Sequence, residues 1–105
     1  MADGRKLTEN AKDLVRLHAF INGRVQGVGF RYFVVEKAEL LQVTGWVRNT
    51  FDGQVEVTAE GPRPVLERFL VYLRHGPSAA YVTDVQTSWQ PASGELSHFE
   101  IAPSE

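Results

Sequence analysis

The sequence predicts an α+β sandwich, in which two helices pack on one face of an antiparallel sheet of four to five strands. Apolar and polar residues alternate in several short segments, which is typical of half-buried strands. In two further segments the apolar residues recur every three or four positions, which is typical of amphipathic helices. These segments follow one another in the order βαββαβ, and a short last strand can be added at the end.

The first strand leads into a glycine-rich loop and then a helix. Apolar residues alternate from Val15 to Ile21, which predicts the strand. Residues 23–29 contain three glycines and cannot hold a regular element. From Phe30 onward the apolar residues take helical spacing, interrupted only at Lys37. We therefore predict an amphipathic helix over residues 30–42.

The next two strands, residues 44–50 and 54–59, form a predicted hairpin whose turn follows from the side-chain pattern. A two-residue turn at Asp52-Gly53 would place apolar residues opposite polar ones. A three-residue turn over residues 51–53, with Gly53 left-handed, gives one apolar face and one salt-bridged face instead. The pairs that this turn sets are Asn49 with Val55, Arg48 with Glu56, and Val47 with Val57.

The second half of the chain predicts one helix and two strands. Gly61-Pro62 opens the helix, with proline in its first turn, and His75-Gly76-Pro77 closes it. Strands are predicted over residues 81–89 and 97–101, with a loop between them. The apolar stripe of the helix is Val65, Leu66, Phe69, Leu70 and Leu73. The complete order is that of the split βαβ, ferredoxin-like fold.

Length and composition favour a single globular domain. The chain has 105 residues, of which 43% are hydrophobic and 23% are charged. Residues 1–13 are polar and aperiodic, so we predict a flexible N-terminal extension there and one domain over residues 14–105. The net charge of −2 argues against nucleic-acid partners, which need a basic face.

Several kinds of site and location are disfavoured by what the sequence lacks. The absence of cysteine excludes disulfides, thiol nucleophiles and cysteine-based metal sites. No apolar run approaches the ~20 residues of a membrane span, and none follows the first residues as in a secretory signal. We therefore expect a cytoplasmic monomer with no membrane partner. The histidines at 18, 75 and 98 lack metal-ligand spacing, and no acidic cluster resembles a Mg²⁺ site.

The glycine loop before the first helix is a candidate phosphate site. A helix start leaves about four backbone N–H groups unpaired and carries a partial positive charge. Glycines let such groups converge on a tetrahedral anion, although a tight turn without function explains the glycines equally well. Arg31 favours the anion site, because a cation in the first turn opposes the helix dipole and its planar fork can hold two phosphate oxygens. Arg24, inside the loop, is expected to be solvated.

Asn49 is the second candidate. In a split βαβ unit the third strand lies between the first two, so the end of the second strand reaches the same sheet edge as the glycine loop. Two strand spacings separate them by roughly 10 Å. The predicted register places Asn49 on the helix-covered face, where a polar amide needs a partner. It is either an asparagine that flanks a turn or a fixed amide that orients a nucleophilic water.

Two segments resemble the signatures of a known family. Residues 23–31 (GRVQGVGFR) and residues 45–50 (GWVRNT), followed by Asp52-Gly53, are similar to the two signature segments of the acylphosphatases, and their spacing fits. The resemblance extends over about residues 15–102. Further matching features are Gly61, Gly76-Pro77, Val85 and the closing Phe99-Glu100-Ile101.

The resemblance implies an acylphosphatase-like domain over residues 14–105 that hydrolyses acyl phosphates to a carboxylate and inorganic phosphate. In it Arg31 would bind the phosphate together with loop N–H groups, and Asn49 would position the attacking water. The implied phosphate-binding residues are Gln26, Gly27, Val28, Gly29, Phe30 and Arg31. The expected partners are a small-molecule acyl phosphate and inorganic phosphate, as product and competitive ligand. No metal ion or organic cofactor is expected.

One run departs from the family pattern, and three other functions compete with hydrolysis. Family members often carry a glycine where this chain has Leu41-Gln42-Val43, which leaves the end of the first helix open. A non-catalytic ferredoxin-like module, binding anions or regulating a partner, would use the same loop but would not need Asn49. An RNA-binding domain would want aromatic residues on the central strand, which residues 54–58 lack. A metal chaperone of this topology would normally need cysteine.

Overall fold

The computed structural model describes residues 14–105, and over this range the predicted βαββαβ order is confirmed, with a fifth strand at the end. The predicted N-terminal extension, residues 1–13, lies outside the described residues. The elements are β1 (Leu14–Arg24), α1 (Phe30–Leu41), β2 (Thr44–Asn49), β3 (Val55–Pro62), α2 (Arg63–His75), β4 (Tyr81–Pro91) and β5 (Phe99–Ile101).

The strands of this range form one sheet in the order β4-β1-β3-β2-β5. Strand β3 lies between β1 and β2, as the split βαβ arrangement requires, and the pairs β4-β1, β1-β3 and β3-β2 are antiparallel. The chain reverses after β4 and crosses to the opposite edge, so β5 runs parallel to β2. The sheet is therefore mixed, with four antiparallel strands and one parallel edge strand, in a ferredoxin-like α+β sandwich.

The core lies between the sheet and the two helices, where the alternation of the strands meets the helical stripes. Lys37, which interrupts the stripe of α1, has its Nζ 4.9 Å from the ring centroid of Tyr72 and 5.3 Å from that of Phe33. These aromatic faces accommodate the cation at the edge of the core. The completely buried side chains include Leu17, Ala19 and Ile21 of β1, Val34 and Ala38 of α1, Val47 of β2, Val55 and Val57 of β3, and Leu66, Phe69 and Leu73 of α2.

The hairpin between β2 and β3 has the predicted three-residue turn. Asn49 pairs with Val55, Arg48 with Glu56, and Val47 with Val57. Gly53 is left-handed, with a φ of 94°. The turn is closed by the backbone N–H of Thr50, which donates to the carbonyl of Gln54 at 2.9 Å. The hydrophobic pattern therefore fixed the register correctly.

The face of the sheet away from the helices carries paired charges. Glu56 accepts hydrogen bonds from Arg48 at 2.8 Å and pairs with the His18 ring at 2.7 Å. Glu60 accepts from Arg16 at 2.7 Å and from the backbone N–H groups of residues 93 and 94. Burial tends to raise the pKa of both carboxyl groups, but these hydrogen bonds outweigh it, so each pKa lies below its ordinary value.

Several element ends differ from the predicted ones. Helix α1 ends at Leu41, and Gln42 takes the left-handed conformation, φ 59° and ψ 39°, at the position where the family often has glycine. Pro62 precedes α2 as its N-cap instead of lying in the first turn. Strand β4 continues to Pro91 because β1 is long enough to pair with it there, and β5 begins only at Phe99 because only β2 borders it.

Candidate active site

Strand β1 ends in an irregularity that directs the chain into the loop. Its pairing with β4 shifts register between Asn22 and Gly23. Gly23 has a φ of 127°, and a Cβ added there would lie 2.1 Å from the carbonyl oxygen of Tyr81. No other residue fits this close approach. The sequence showed a glycine here but gave no sign of the bulge.

The loop then runs into helix α1 through two left-handed glycines. Gly27 has a φ of 74° and Gly29 a φ of 79°, while a Cβ at either position would meet nothing within 4 Å. Backbone conformation, and not space, therefore demands glycine at both positions. Gly29 is the N-cap of α1, so the helix begins without a side-chain cap, and its first turn contains no acidic residue.

The first turn of α1, the loop and the end of β2 surround one cavity of about 80 Å³. Arg31 and Asn49 both line it, although Arg31 comes from helix α1 and Asn49 from the end of strand β2. The cavity therefore brings together a cation, an uncapped helix N-terminus and a carboxamide. Its lining residues are Val25, Gly27, Gly29, Phe30, Arg31, Tyr32 and Asn49.

Asn49 is held at the rim of the helix-covered face with one atom unsatisfied. Its Oδ1 is shielded from solvent and has no hydrogen-bond partner among residues 14–105. Leaving a buried acceptor unpaired costs about 1–3 kcal/mol. The turn does not use this side chain, because Thr50 supplies the hydroxyl that accepts from the N–H of Gln54 at 3.0 Å. The amide of Asn49 is therefore not explained by turn formation.

Arg31 lies half-buried in the first turn of α1 and forms no ion pair with any residue between 14 and 105. Its charge opposes the helix dipole at this end. Arg24, by contrast, is exposed, as predicted. The arrangement concentrates positive potential on the cavity, which is suited to a small anion with several oxygens.

Two of the predicted phosphate-binding residues direct their side chains elsewhere. Val28 packs against the core. The amide Nε2 of Gln26 donates to the carbonyl of Thr50 at 2.9 Å and to that of Gln54 at 2.8 Å, on the hairpin turn. Neither residue lines the cavity, so neither side chain forms part of it. The contacts of Gln26 had no signal in the sequence.

Other kinds of site are not formed by the residues that the structure describes. No three His, Asp or Glu side chains between residues 14 and 105 come close enough to hold a metal ion together. Neither of the two helices in this range is long and apolar enough to cross a membrane.

Comparisons with known proteins agree with this geometry. The family model described as Acylphosphatase matches residues 17–101. The chain is 46% identical over 89 residues to the acylphosphatase of Chloroflexus aurantiacus. The aligned stretch covers 85% of this chain and 97% of that protein.

Solved structures give the same result. The crystal structure of acylphosphatase from Bacillus subtilis superposes with a TM-score of 0.81 at 38% identity, covering 84% of this chain and 98% of the other. The structure of an acylphosphatase from Coxiella burnetii superposes with a TM-score of 0.83 at 37% identity, covering 90% of this chain and 99% of the other. The chain therefore belongs to the acylphosphatase family.

Proposed function

We propose that this enzyme hydrolyses acyl phosphates to a carboxylate and inorganic phosphate in the cavity between the glycine loop and Asn49. The observation that carries the proposal is the convergence of Arg31 and Asn49, two side chains from distant parts of the chain, on one small cavity. A module that only captured anions would need the first group but not the second. Family membership supports the same activity.

The phosphoryl group of the substrate binds at the N-terminus of α1. The unpaired N–H groups of the first turn and the loop amides of residues 26–30 donate to its oxygens, and the Arg31 guanidinium binds two of them in its plane. Bound phosphate also reverses the unfavourable interaction between Arg31 and the helix dipole. Gln26 and Val28 contribute through their backbone only.

Asn49 orients the water that attacks phosphorus. Its carboxamide hydrogen-bonds to the water, which directs the water lone pair toward the phosphorus atom. The new P–O bond forms as the bond between phosphorus and the carboxylate oxygen breaks, and the two water protons end on the released phosphate. The departing carboxylate is a weak base, so no general acid is needed.

Charge stabilisation comes from the same groups that bind the phosphate. Phosphoryl transfer depends mainly on positioning and on neutralising the equatorial oxygens, which the N–H groups and Arg31 supply. The proposed reaction therefore proceeds without a metal ion. We further propose that the protein acts as a monomer in the cytoplasm.

The test is hydrolysis of benzoyl phosphate in water enriched in ¹⁸O, with and without EDTA. We expect turnover that EDTA leaves unchanged and a single ¹⁸O atom in the released phosphate. Label in benzoate would show attack at the carbonyl carbon and would contradict the role of Asn49. A loss of turnover with EDTA that Mg²⁺ restores would contradict the metal-free reaction.

A further inference from the structure

We propose that the side chain of Gln26 is a positioning residue, which sets the distance between the phosphate-binding loop and Asn49. This inference rests on the proposed function, since it assigns the alignment of water and phosphate to a side chain that touches neither. The side chain leaves the loop and bonds to the hairpin turn. It is therefore a direct cross-link between the two halves of the site.

The two carbonyls that Gln26 contacts lie next to the Asn49–Val55 pair, at the start and at the end of the turn. Thr50 follows Asn49 directly, and Gln54 precedes Val55, which is the cross-strand partner of Asn49. Nε2 lies 2.9 Å from the first carbonyl oxygen and 2.8 Å from the second, so both amide hydrogens are used. A shift of this amide would therefore move the strand end that carries Asn49 relative to the loop.

The hairpin does not need Gln26 to satisfy its own polar groups. The carbonyl of Gln54 already accepts from the N–H of Thr50 at 2.9 Å, and the carbonyl of Thr50 accepts from the N–H of Gly53 at 3.3 Å. Removing Gln26 would leave neither oxygen without a donor. The Gln26 amide therefore adds little to the stability of the turn itself. Its main effect is on the position of the loop relative to the turn.

The sheet alone does not fix this position closely. Strands β1 and β2, whose ends carry the loop and Asn49, are separated by β3 and share no hydrogen bonds. Misplacement of reacting groups by about 1 Å can cost about 100-fold in rate. A second attachment between loop and turn is therefore expected to act on turnover, while leaving the phosphate-binding N–H groups and Arg31 in place.

The experiment compares Gln26→Met with Gln54→Met. The second variant makes the same chemical change at the turn residue whose carbonyl accepts from Gln26. The Gln54 amide donates to Oδ1 of Asn22 at 2.8 Å and does not reach the loop. For Gln26→Met we expect kcat for benzoyl phosphate to fall by about 10-fold or more, while KM and the phosphate Kd change by less than about 3-fold. Gln54→Met should keep kcat within about 2-fold. An equal loss in both variants, or phosphate binding weakened in step with kcat, would overturn the proposal.

Combination with Asn49→Ala separates positioning from a general effect. If Gln26 acts through Asn49, adding Gln26→Met to Asn49→Ala should lower kcat by less than about 2-fold further. A further loss as large as in the wild-type background would show that Gln26 acts independently of Asn49, and the proposal would fail. If Gln26→Met does not fold, Gln26→Asn takes its place, because it keeps the amide but is too short to reach both carbonyls. We then expect the same fall in kcat with little change in KM and in the phosphate Kd.

A readout without turnover keeps this inference distinct from the proposed function. Titration with inorganic phosphate should shift the side-chain amide resonance of Asn49 in the ¹⁵N spectrum of the wild type and of Gln54→Met. In Gln26→Met that shift should fall by at least about half, while loop amides still respond. An unchanged Asn49 shift in Gln26→Met would refute the cross-link even if benzoyl phosphate is hydrolysed. If Gln26→Met loses the Asn49 shift but the wild type does not hydrolyse benzoyl phosphate, only the proposed function is refuted.

Discussion

The two faces of the sheet treat their polar groups differently. On the outer face Glu56 and Glu60 are almost completely buried, and each carboxylate accepts two or more hydrogen bonds. On the helix-covered face, at the end of β2, Oδ1 of Asn49 is shielded and finds no partner within residues 14–105. The same fold therefore satisfies charged carboxylates on one face and leaves a neutral amide unsatisfied on the other. An unsatisfied group in a structure that pairs more demanding ones is what we expect where function, and not stability, determines the residue.

Asn49→Ala should have the largest effect on activity. The variant keeps the loop and Arg31 but loses the group that we propose orients the water, so we expect kcat for benzoyl phosphate to fall by about 10²–10³-fold. The phosphate Kd, measured by calorimetry, should change by less than about 3-fold. Near-normal turnover would remove Asn49 from its proposed role and would leave its unpaired oxygen unexplained.

Arg31→Ala should weaken binding and catalysis together. In the proposed reaction the guanidinium contacts the phosphoryl group in both the ground state and the transition state, and a charge-assisted hydrogen bond contributes about 1.5–3 kcal/mol. We expect phosphate affinity to fall by about 10- to 100-fold, with a similar or larger loss in kcat/KM. Arg24→Ala, which removes an exposed arginine from the same loop, is the matched control and should leave both constants within about 2-fold.

On the outer face, Glu60→Gln should lower stability without lowering turnover. The carboxylate accepts from Arg16 and from two backbone N–H groups, so we expect a loss of about 1–3 kcal/mol in the free energy of unfolding by urea. Because the folded pKa of Glu60 lies below its ordinary value, its contribution is present above pH 4.5 and is lost as the pH falls from there through the folded pKa. The variant should therefore lose stability less steeply in acid than the wild type. A changed kcat would show that the two faces are coupled.

The unpaired Oδ1 of Asn49 also has a consequence for the stability of the protein. Because the unsatisfied oxygen costs about 1–3 kcal/mol, Asn49→Ala should raise the free energy of unfolding, or at least not lower it, while it removes activity. Urea denaturation in buffer without phosphate measures this. A clear loss of stability would show that the carboxamide supports the fold, and the contrast between the two faces would be wrong at this position.

The smallest expected effect lies at the end of α1. Gln42 is a non-glycine residue in the left-handed region, which costs roughly 1–2 kcal/mol. Gln42→Gly removes this strain but loosens the unfolded chain, so we expect a net gain of about 0.5–1 kcal/mol. Gln42 lies outside the catalytic cavity, so kcat should not change. Unfolding that is equally easy in both proteins would mean that the cost of the left-handed residue is already offset locally.

The fold could be predicted because its determinants are periodic. Neighbouring residues are enough to identify each element: apolar and polar residues alternate in β1, and apolar stripes mark the two helices. The apolar and charged faces of the hairpin set its register in the same way. The direction of β5 and the bulge at Gly23 could not be predicted in this way, because each depends on a strand far away in the chain. The left-handed Gln42 was hidden for another reason: the hydrogen bonds of its backbone N–H to the carbonyls of Ala38 and Glu39, at the end of the helix, hold a conformation that its own side chain disfavours.

The candidate site was predictable only in part. The βαβ topology places Arg31 and Asn49 at the same sheet edge, and the structure brings both to one cavity. Their catalytic roles remain predictions. The side chain of Gln26 was missed, because a glutamine in a glycine loop has no periodicity and its two acceptors are backbone carbonyls that any sequence possesses.

The antiparallel pairing of β1 with β3 has a consequence for how the enzyme is made. Leu14 pairs with Pro62 and Ile21 with Val55, so the strand that separates the two halves of the site joins β1 only through contacts between distant parts of the chain. Topologies dominated by such contacts fold slowly, because the entropy of closing long loops is lost before the contacts form. Refolding of this small domain should therefore be limited by assembly of the central strands, and recovered enzymatic activity would report that step directly.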